Sequence, residues 1–190
     1  SLEVSRIYSA AGLLNKERPL MVNHPFRNPH HTITYSALVG GGMKYSLPGE
    51  ITLAHKGVLF LDEVAEFRRD VLEVLREPLE ERRISICRSA WRVTYPADFL
   101  LVAAMNPCPC GYVGDTQREC ICSEMEIRKY RNKISGPLAD RIDIHLYLSR
   151  ISRKDILERK EESSQEILKR VIAARRIQSE RFKKTPFYLN

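Results

Sequence analysis

Asp62 and Glu63 stand at the end of Val58-Leu59-Phe60-Leu61, four apolar residues preceded by Gly57. A short uninterrupted apolar run bounded in this way reads as a strand buried on both faces of a sheet, its acids emerging at the sheet's edge. A carboxylate at such an edge can hold Mg²⁺, usually through water, and its neighbour can orient or deprotonate an attacking water. That is the hydrolytic half of a nucleotide site. The phosphate-cradling half needs Gly-x-x-x-x-Gly-Lys-Ser/Thr, and none of the nine glycines is followed by Lys. The sequence therefore reads as part of a nucleotide hydrolase that begins after its phosphate loop. The competing explanation is an apolar run that happens to end in Asp-Glu, and the neighbouring residues must decide.

A second apolar run, Asp98 to Met105, ends at Asn106. An amide at the end of a strand parallel to the first can bond both a γ-phosphate oxygen and the attacking water. Arg141 precedes a third apolar alternation, where it can donate charge to a neighbour's phosphate or pair with Asp140 or Asp143. Cys108, Cys110, Cys120 and Cys122 form two Cys-x-Cys pairs separated by nine residues. Folded back on itself, that stretch closes a Cys₄ site suited to Zn²⁺; the alternative is four reduced thiols, with Cys87 an ordinary strand residue. Arg88, Trp91 and Arg92 combine cations with the only Trp at a hairpin tip, suited to stacking on bases and neutralising phosphate, or else to a Trp folded back between solvated arginines. Lys44 and Tyr45 follow Gly40-Gly41-Gly42 and belong either to a flexible finger that reaches a partner or to a surface linker. His30 and His31 have no acidic or Cys neighbour in sequence, which favours loop hydrogen bonding over ligation.

These residues need elements to position them. Val4, Ile7, Tyr8 and Ala11 recur at helical spacing over residues 1 to about 15. Pro19, Pro25 and Pro29 impose an extended loop. The glycines from 40 to 49 mark a mobile loop rather than a packed element, and Gly49 to Lys56 reads as a short helix with His55 a polar residue near its end. Phe67, Val71, Leu72, Leu75 and Leu79 define an amphipathic helix ending near Pro78. Arg83–Arg88 and Arg92–Tyr95 alternate as the arms of a β-hairpin. Ser123 with Glu126 has capping-box form and opens a helix carrying Ile127, Tyr130 and Ile134, while Arg128, Lys129, Arg131 and Lys133 make a solvated face. Ile142–Leu148 reads as a strand with His145 packed inside it. A helical register runs from about Ser152 to Lys184, re-capped around Ser163 to Glu166, and its stripe of Ile167, Leu168, Val171, Ile172 and Ile177 points to a helical lobe of which part is absent.

The bulk properties bound these readings. At 190 residues the chain is about one domain with room for a small second lobe, and 43% hydrophobic with 29% charged residues describes a soluble globular protein. No run reaches the roughly 18 apolar residues of a membrane span and no signal peptide opens the chain, so no membrane is expected and the cytoplasm is the expected compartment. A net charge of +7 with pI about 9.3 favours an anionic partner, DNA or RNA. Five cysteines without a secretory signal argue for metal or reduced thiols over a disulfide framework.

Taken together, a strand ending Asp62-Glu63, a hairpin, a second strand ending Asn106 and an edge Arg141 resemble the AAA+ ATPases, in the branch with an insert in the second helix and a hairpin before the sensor strand. Pro25-Phe26-Arg27-Asn28-Pro29-His30-His31, Ala37-Leu38-Val39-Gly40-Gly41-Gly42, Gly57 to Glu63, Ala103 to Gly111 and Asp140-Arg141-Ile142-Asp143 are similar to segments of the magnesium-chelatase-like bacterial ATPases of the YifB/ComM type. The resemblance implies an α/β fold: an AAA+ P-loop NTPase core over residues 1–150, a parallel sheet with helices on both faces and the hairpin, then a helical segment over 151–190 leading into a lid. It implies ATP and Mg²⁺ as cofactors, Asp62 for Mg²⁺, Glu63 as the water-activating base, Asn106 as first sensor and Arg141 as an arginine finger acting in trans. It also implies a homo-oligomeric ring, a hexamer, whose Gly40 to Gly49 insert and Arg88 to Arg92 hairpin face DNA in a central pore. The parent is expected to be a DNA motor of natural transformation or branch migration. This stretch alone is expected to neither bind ATP tightly nor hydrolyse it. A protein-remodelling or chelatase-type ATPase is the alternative, and a zinc-stabilised binding module leaves the polar strand ends unexplained.

Overall fold

Helix α1 (Leu2–Ala10) places Val4, Ile7 and Tyr8 on one face by its 3.6-residue period, and they pack on Leu53 in a small apolar cluster. The computed structural model describes residues 2–17, 19–42, 47–88, 91–148, 150 and 162–183. Beyond α1 the proline-rich segment does more than loop. Phe26–Arg27 forms strand β1, because backbone that Pro25 and Pro29 hold extended is already shaped for a ladder. The expected loop is thus partly a strand.

The segment expected to be a mobile glycine loop is also corrected. Tyr35–Val39 is helix α2, capped by the Thr34 side chain, which accepts from the Ala37 N–H, and it buries Leu38 and Val39. Gly40–Gly41 (β2) then pairs antiparallel with Leu47–Pro48 (β3). A Cβ on Gly40 would meet Leu47 O at 2.5 Å, and one on Gly49 would meet Gly40 N at 2.3 Å. At Gly40 and Gly49 the missing side chain permits close packing of backbone on backbone. Lys44 and Tyr45 lie outside the described residues.

Helix α3 (Glu50–Leu53) leads to strand β4 (Val58–Leu61), followed by a 3₁₀ turn (Val64–Glu66) and helices α4 (Arg69–Glu73) and α5 (Arg76–Glu81). The helical period expected from Phe67 is therefore broken into two pieces, and it does not end at Pro78. That proline is the third residue of α5, where the first-turn N–H groups need no intrahelical partner. Arg83–Arg88 (β5) and Trp91–Pro96 (β6) form the hairpin, with Arg88 opposite Trp91 and Cys87 opposite Arg92. Ile84 and Ile86 drive its base into the core. Strand β7 (Leu100–Ala103) follows, then α6 (Glu124–Arg131) and the short α7 (Gly136–Ala139).

The main sheet is parallel with order β1-β4-β7, and Leu61 lies opposite Ala103. Its faces differ. Leu59 and Leu61 are fully buried against α2, α3, α4, α5 and the hairpin, whereas Phe26, Leu100 and Val102 on the opposite face stay exposed, with Phe26 stacked on Phe60 at 6.1 Å. Strands expected to be buried on both faces are thus covered on one within the described residues. The apolar runs encode burial, but which neighbour supplies it is not written in them.

Ile142–Leu148 forms no strand; Ile144, His145, Leu146, Tyr147 and Leu148 are exposed, correcting both the strand and the packed His145. Alternation gives a segment the capacity to pair, and no ladder partner reaches it among the described residues. The chain divides into residues 1–148 and 149–190. In the second part α8 (Ser164–Phe182) opens on a Ser163–Glu166 capping box, with Ile167, Leu168, Val171, Ile172 and Ile177 exposed. Residues 151–161 of the expected helix lie outside the described residues. No described helix is long and apolar enough to cross a membrane.

Candidate functional site

The C-terminal ends of β4 and β7 share one edge because the two strands run parallel in register. The Val64 N–H donates to Ala104 O at 2.9 Å and so ties the turn after Glu63 to the end of β7. Asp62, Glu63 and Asn106 are all exposed there. One Asp62 oxygen accepts the Glu63 N–H at 2.9 Å. Glu63 itself sits at φ 50°, ψ 43°, a left-handed conformation that costs an L-residue about 1–2 kcal/mol and turns its side chain out of the strand line. The donor set is hard carboxylate oxygen with open water access, which fits Mg²⁺.

Two further residues reach this edge. His31 Nδ1 lies 3.6 Å from Glu63 Oε2; its ring lies tilted against that of His30 with centroids 4.0 Å apart and meets Phe67 edge-on at 6.4 Å. Its acidic partner is 32 residues away in sequence, which is why adjacency could not reveal it, although a strand assigned to Phe26–Arg27 would have placed the histidines at the same sheet end. His30 shares a hydrogen bond with Thr32 at 2.9 Å. Tyr130 of α6 is buried; burial, followed by the charges of Glu66 and Glu63, pushes its pKa up against the opposing pull of the Asn106 backbone N–H. The tyrosine links α6 to the β7 end.

Arg141 does not project freely. Its guanidinium pairs with Glu80 and donates from Nη1 to Pro137 O at 2.5 Å, while Nε is buried without a hydrogen-bond partner. Neither Asp140 nor Asp143, the partners suggested by adjacency, holds it; Glu80 at the end of α5 is nearer in space. At the hairpin, Arg92 is exposed, and the side chains of Arg88 and Trp91 lie outside the described residues. The cationic face of α6 is less open than expected: Lys133 pairs with Glu66 at 3.4 Å and Arg131 donates to Pro107 O at 3.3 Å.

The four cysteines converge. The Sγ atoms of Cys108, Cys110, Cys120 and Cys122 all lie within 4.8 Å of one another, with pairs at 3.4, 3.5 and 3.7 Å. Gly111, at φ 82°, closes the first turn through its N–H to Cys108 O at 3.0 Å. Asp115 caps the N–H groups of Gln117 and Arg118, and Arg118 lies over the Tyr112 ring at 4.2 Å, so the loop returns on itself. Cys110 is pulled down to about 6, chiefly by the Tyr112 backbone N–H, whereas burial pushes Cys120 up to about 12 and Cys122 upward.

Elsewhere, His55 is buried at the end of α3; its Nδ1 accepts the Asp98 N–H at 3.0 Å, and burial lowers its pKa against the opposing pull of Glu3. Nε2 approaches Glu3 Oε1 at 3.2 Å without hydrogen-bond alignment. Near the helix end, as expected, this ring also fastens the start of β7. Arg27 and Glu50 form a half-buried fork at 2.5 and 2.6 Å that ties β1 to α3.

The family model described as magnesium chelatase, subunit ChlI, matches residues 1–156. An uncharacterized protein of Mycobacterium tuberculosis is 43% identical over 190 residues, covering all of this chain and 37% of the relative. The uncharacterized protein YifB of Escherichia coli is 45% identical over 170 residues, covering 87% of this chain and 33% of its own length. The competence protein ComM of Haemophilus influenzae is 44% identical over 168 residues, covering 87% and 32%. The chain thus spans about a third of the length of the curated relatives it matches. Its parallel sheet, inserted hairpin and following helical segment are those of an AAA+ α/β core without the phosphate loop, and the chain belongs to the magnesium chelatase ChlI family, being of the magnesium-chelatase-like YifB/ComM type.

Proposed function

We propose that this chain carries the hydrolytic half of an ATPase site, completed by a phosphate loop and by a neighbouring subunit in a homo-oligomeric ring, a hexamer in our reading. The observation that carries the reading is the in-register pairing of β4 with β7, which brings Asp62, Glu63 and Asn106 to one exposed edge. When bound, Mg²⁺ supplies charge neutralisation between the phosphates. Asp62 offers its free oxygen toward the metal's water shell, and Glu63 accepts the proton of the attacking water. The Asn106 amide orients that water. His31 stands beside Glu63 and limits where its carboxylate can point. Arg141 exchanges Glu80 for a phosphate of the adjoining subunit, a swap that keeps its charge paired throughout.

The test is turnover by the whole protein. Glu63→Gln keeps the size and loses the base, so ATP hydrolysis should fall at least about a hundredfold with nucleotide binding retained. Unchanged turnover would remove Glu63 from the chemistry.

DNA is the substrate we infer, supported by the net charge of +7 and by Arg92 exposed on the hairpin. Replacing Arg88 and Arg92 together with Ala should weaken DNA binding and reduce its logarithmic salt slope by about two, since each phosphate contact contributes about 0.9. Binding that keeps the wild-type salt dependence would turn the reading toward a protein substrate.

A further inference from the structure

The loop between Cys108 and Ser123 has little to hold it. None of residues 109–122 belongs to either hydrophobic cluster, and Ile121, its largest aliphatic side chain, is 87% exposed. Yet the loop brings four sulfurs within 4.8 Å of one another. We propose that Cys108, Cys110, Cys120 and Cys122 hold one structural Zn²⁺, and that the metal fastens the Asn106 end of β7 to the start of α6.

The geometry fits the metal. A tetrahedron with zinc–sulfur bonds of about 2.3 Å has sulfur–sulfur edges of about 3.8 Å; the pairs among Cys108, Cys110 and Cys120 span 3.4 to 3.7 Å, and Cys122 completes the set within 4.8 Å. These separations are far longer than the roughly 2.05 Å of a disulfide. An iron–sulfur cube interposes sulfides between its cysteines and needs a wider cage. Soft thiolates exclude Mg²⁺ and Ca²⁺, and four protein ligands leave no open position, as in a structural rather than a catalytic site. Loading Zn²⁺ converts four thiols to a ZnS₄ centre of net charge −2 and releases the thiol protons to solvent.

Its position explains the fastening. Cys108 is two residues past Asn106, and Cys122 directly precedes Ser123, the N-cap of α6. Tyr130 and Arg131 of that helix reach back to Asn106 and Pro107. Metal at one end and the Arg131–Pro107 hydrogen bond at the other close a ring of constraints around the β7 end.

Whole protein purified without added metal should contain about one zinc per chain. Cobalt replacement should give thiolate-to-metal charge transfer with a tetrahedral visible spectrum. Chelation should lower Tm by on the order of 10 °C and speed hydrogen exchange around Tyr130. Because Cys108 is buried and its replacement can disturb folding directly, Cys122→Ser is the variant of choice, and it should lose the metal while remaining folded. Less than about half an equivalent of zinc, iron in its place, or an octahedral cobalt spectrum would overturn the metal assignment. An unchanged Tm and unchanged exchange after complete zinc removal would overturn the fastening. None of these readouts uses nucleotide, so their failure leaves the ATPase reading standing.

Discussion

The edge at Asp62, Glu63 and Asn106 and the cluster at residues 108–122 meet in the chain at Asn106 but are built on opposite plans. At the edge, the functional groups come from separate parts of the chain, Asp62 and Glu63 from the end of β4 and Asn106 from beyond β7; the carboxylates are exposed, and Arg141 is paired with Glu80 instead of with them. In the cluster, every ligand comes from one loop, and two Cys-x-Cys turns suffice to bring the sulfurs together. A site that must open, load a substrate and respond to a neighbour is assembled from strand ends on a rigid sheet. One that only has to hold can be closed locally, through short turns and short-range hydrogen bonds. The contrast predicts that the edge can be disabled without loss of stability, and that disturbing the cluster lowers stability while leaving the protein folded.

The sharpest break in that contrast is at Arg141. In the whole protein, Arg141→Ala should reduce ATP turnover by on the order of a thousandfold or more, while Glu80→Gln, which only frees the arginine, should leave turnover near wild type. Steady-state hydrolysis by both variants decides the matter. Turnover abolished by Glu80→Gln but spared by Arg141→Ala would make the pair a support within one subunit and end the finger assignment.

A smaller effect probes the platform under the edge. Leu61, the last residue of β4, is fully buried, and Leu61→Ala should destabilise the fold by about 2–5 kcal/mol in chemical denaturation. Zinc content should be unchanged in protein that remains folded. If stability holds while zinc is lost, the two regions are coupled more tightly than their separate construction implies.

The smallest effect concerns His55. Its folded pKa is lowered from 6.5 by burial, so the unfolded state binds a proton first as pH falls. The stability it contributes is fully present above pH 6.5 and is lost as pH drops from there toward the depressed folded value. Denaturation midpoints across that window should decline with acidification, and His55→Gln should flatten the slope. An identical slope in the variant would assign the acid sensitivity to another group.

Several elements are legible from residue order alone. Ser123 with Glu126 and Ser163 with Glu166 form the reciprocal caps their spacing announces, and Ile84 and Ile86 alternate into the core from the hairpin. Other features are opaque for a common reason. Tyr35–Val39 and the Gly40–Gly41 ribbon are hidden beneath a composition that usually marks loops, because it is tertiary contact that makes those glycines a packing device. Ile142–Leu148 has the alternation of a strand without a partner to pair with among the described residues. His31 beside Glu63, Tyr130 beneath Asn106 and Glu80 against Arg141 each join residues from separate elements.

The sequence by itself determined the two caps, the hairpin, the apolar strand that carries Asp62 and Glu63, and the spacing that lets four cysteines meet. All of these depend on dihedral preferences and hydrogen bonds within a few residues, which local chemistry specifies. Only the tertiary structure decided which face of β4 is buried, that Phe26–Arg27 joins the sheet, and that Arg141 pairs with Glu80. Those outcomes depend on which distant segments close around the core, and a residue's type states what it can pair with without stating which partner arrives.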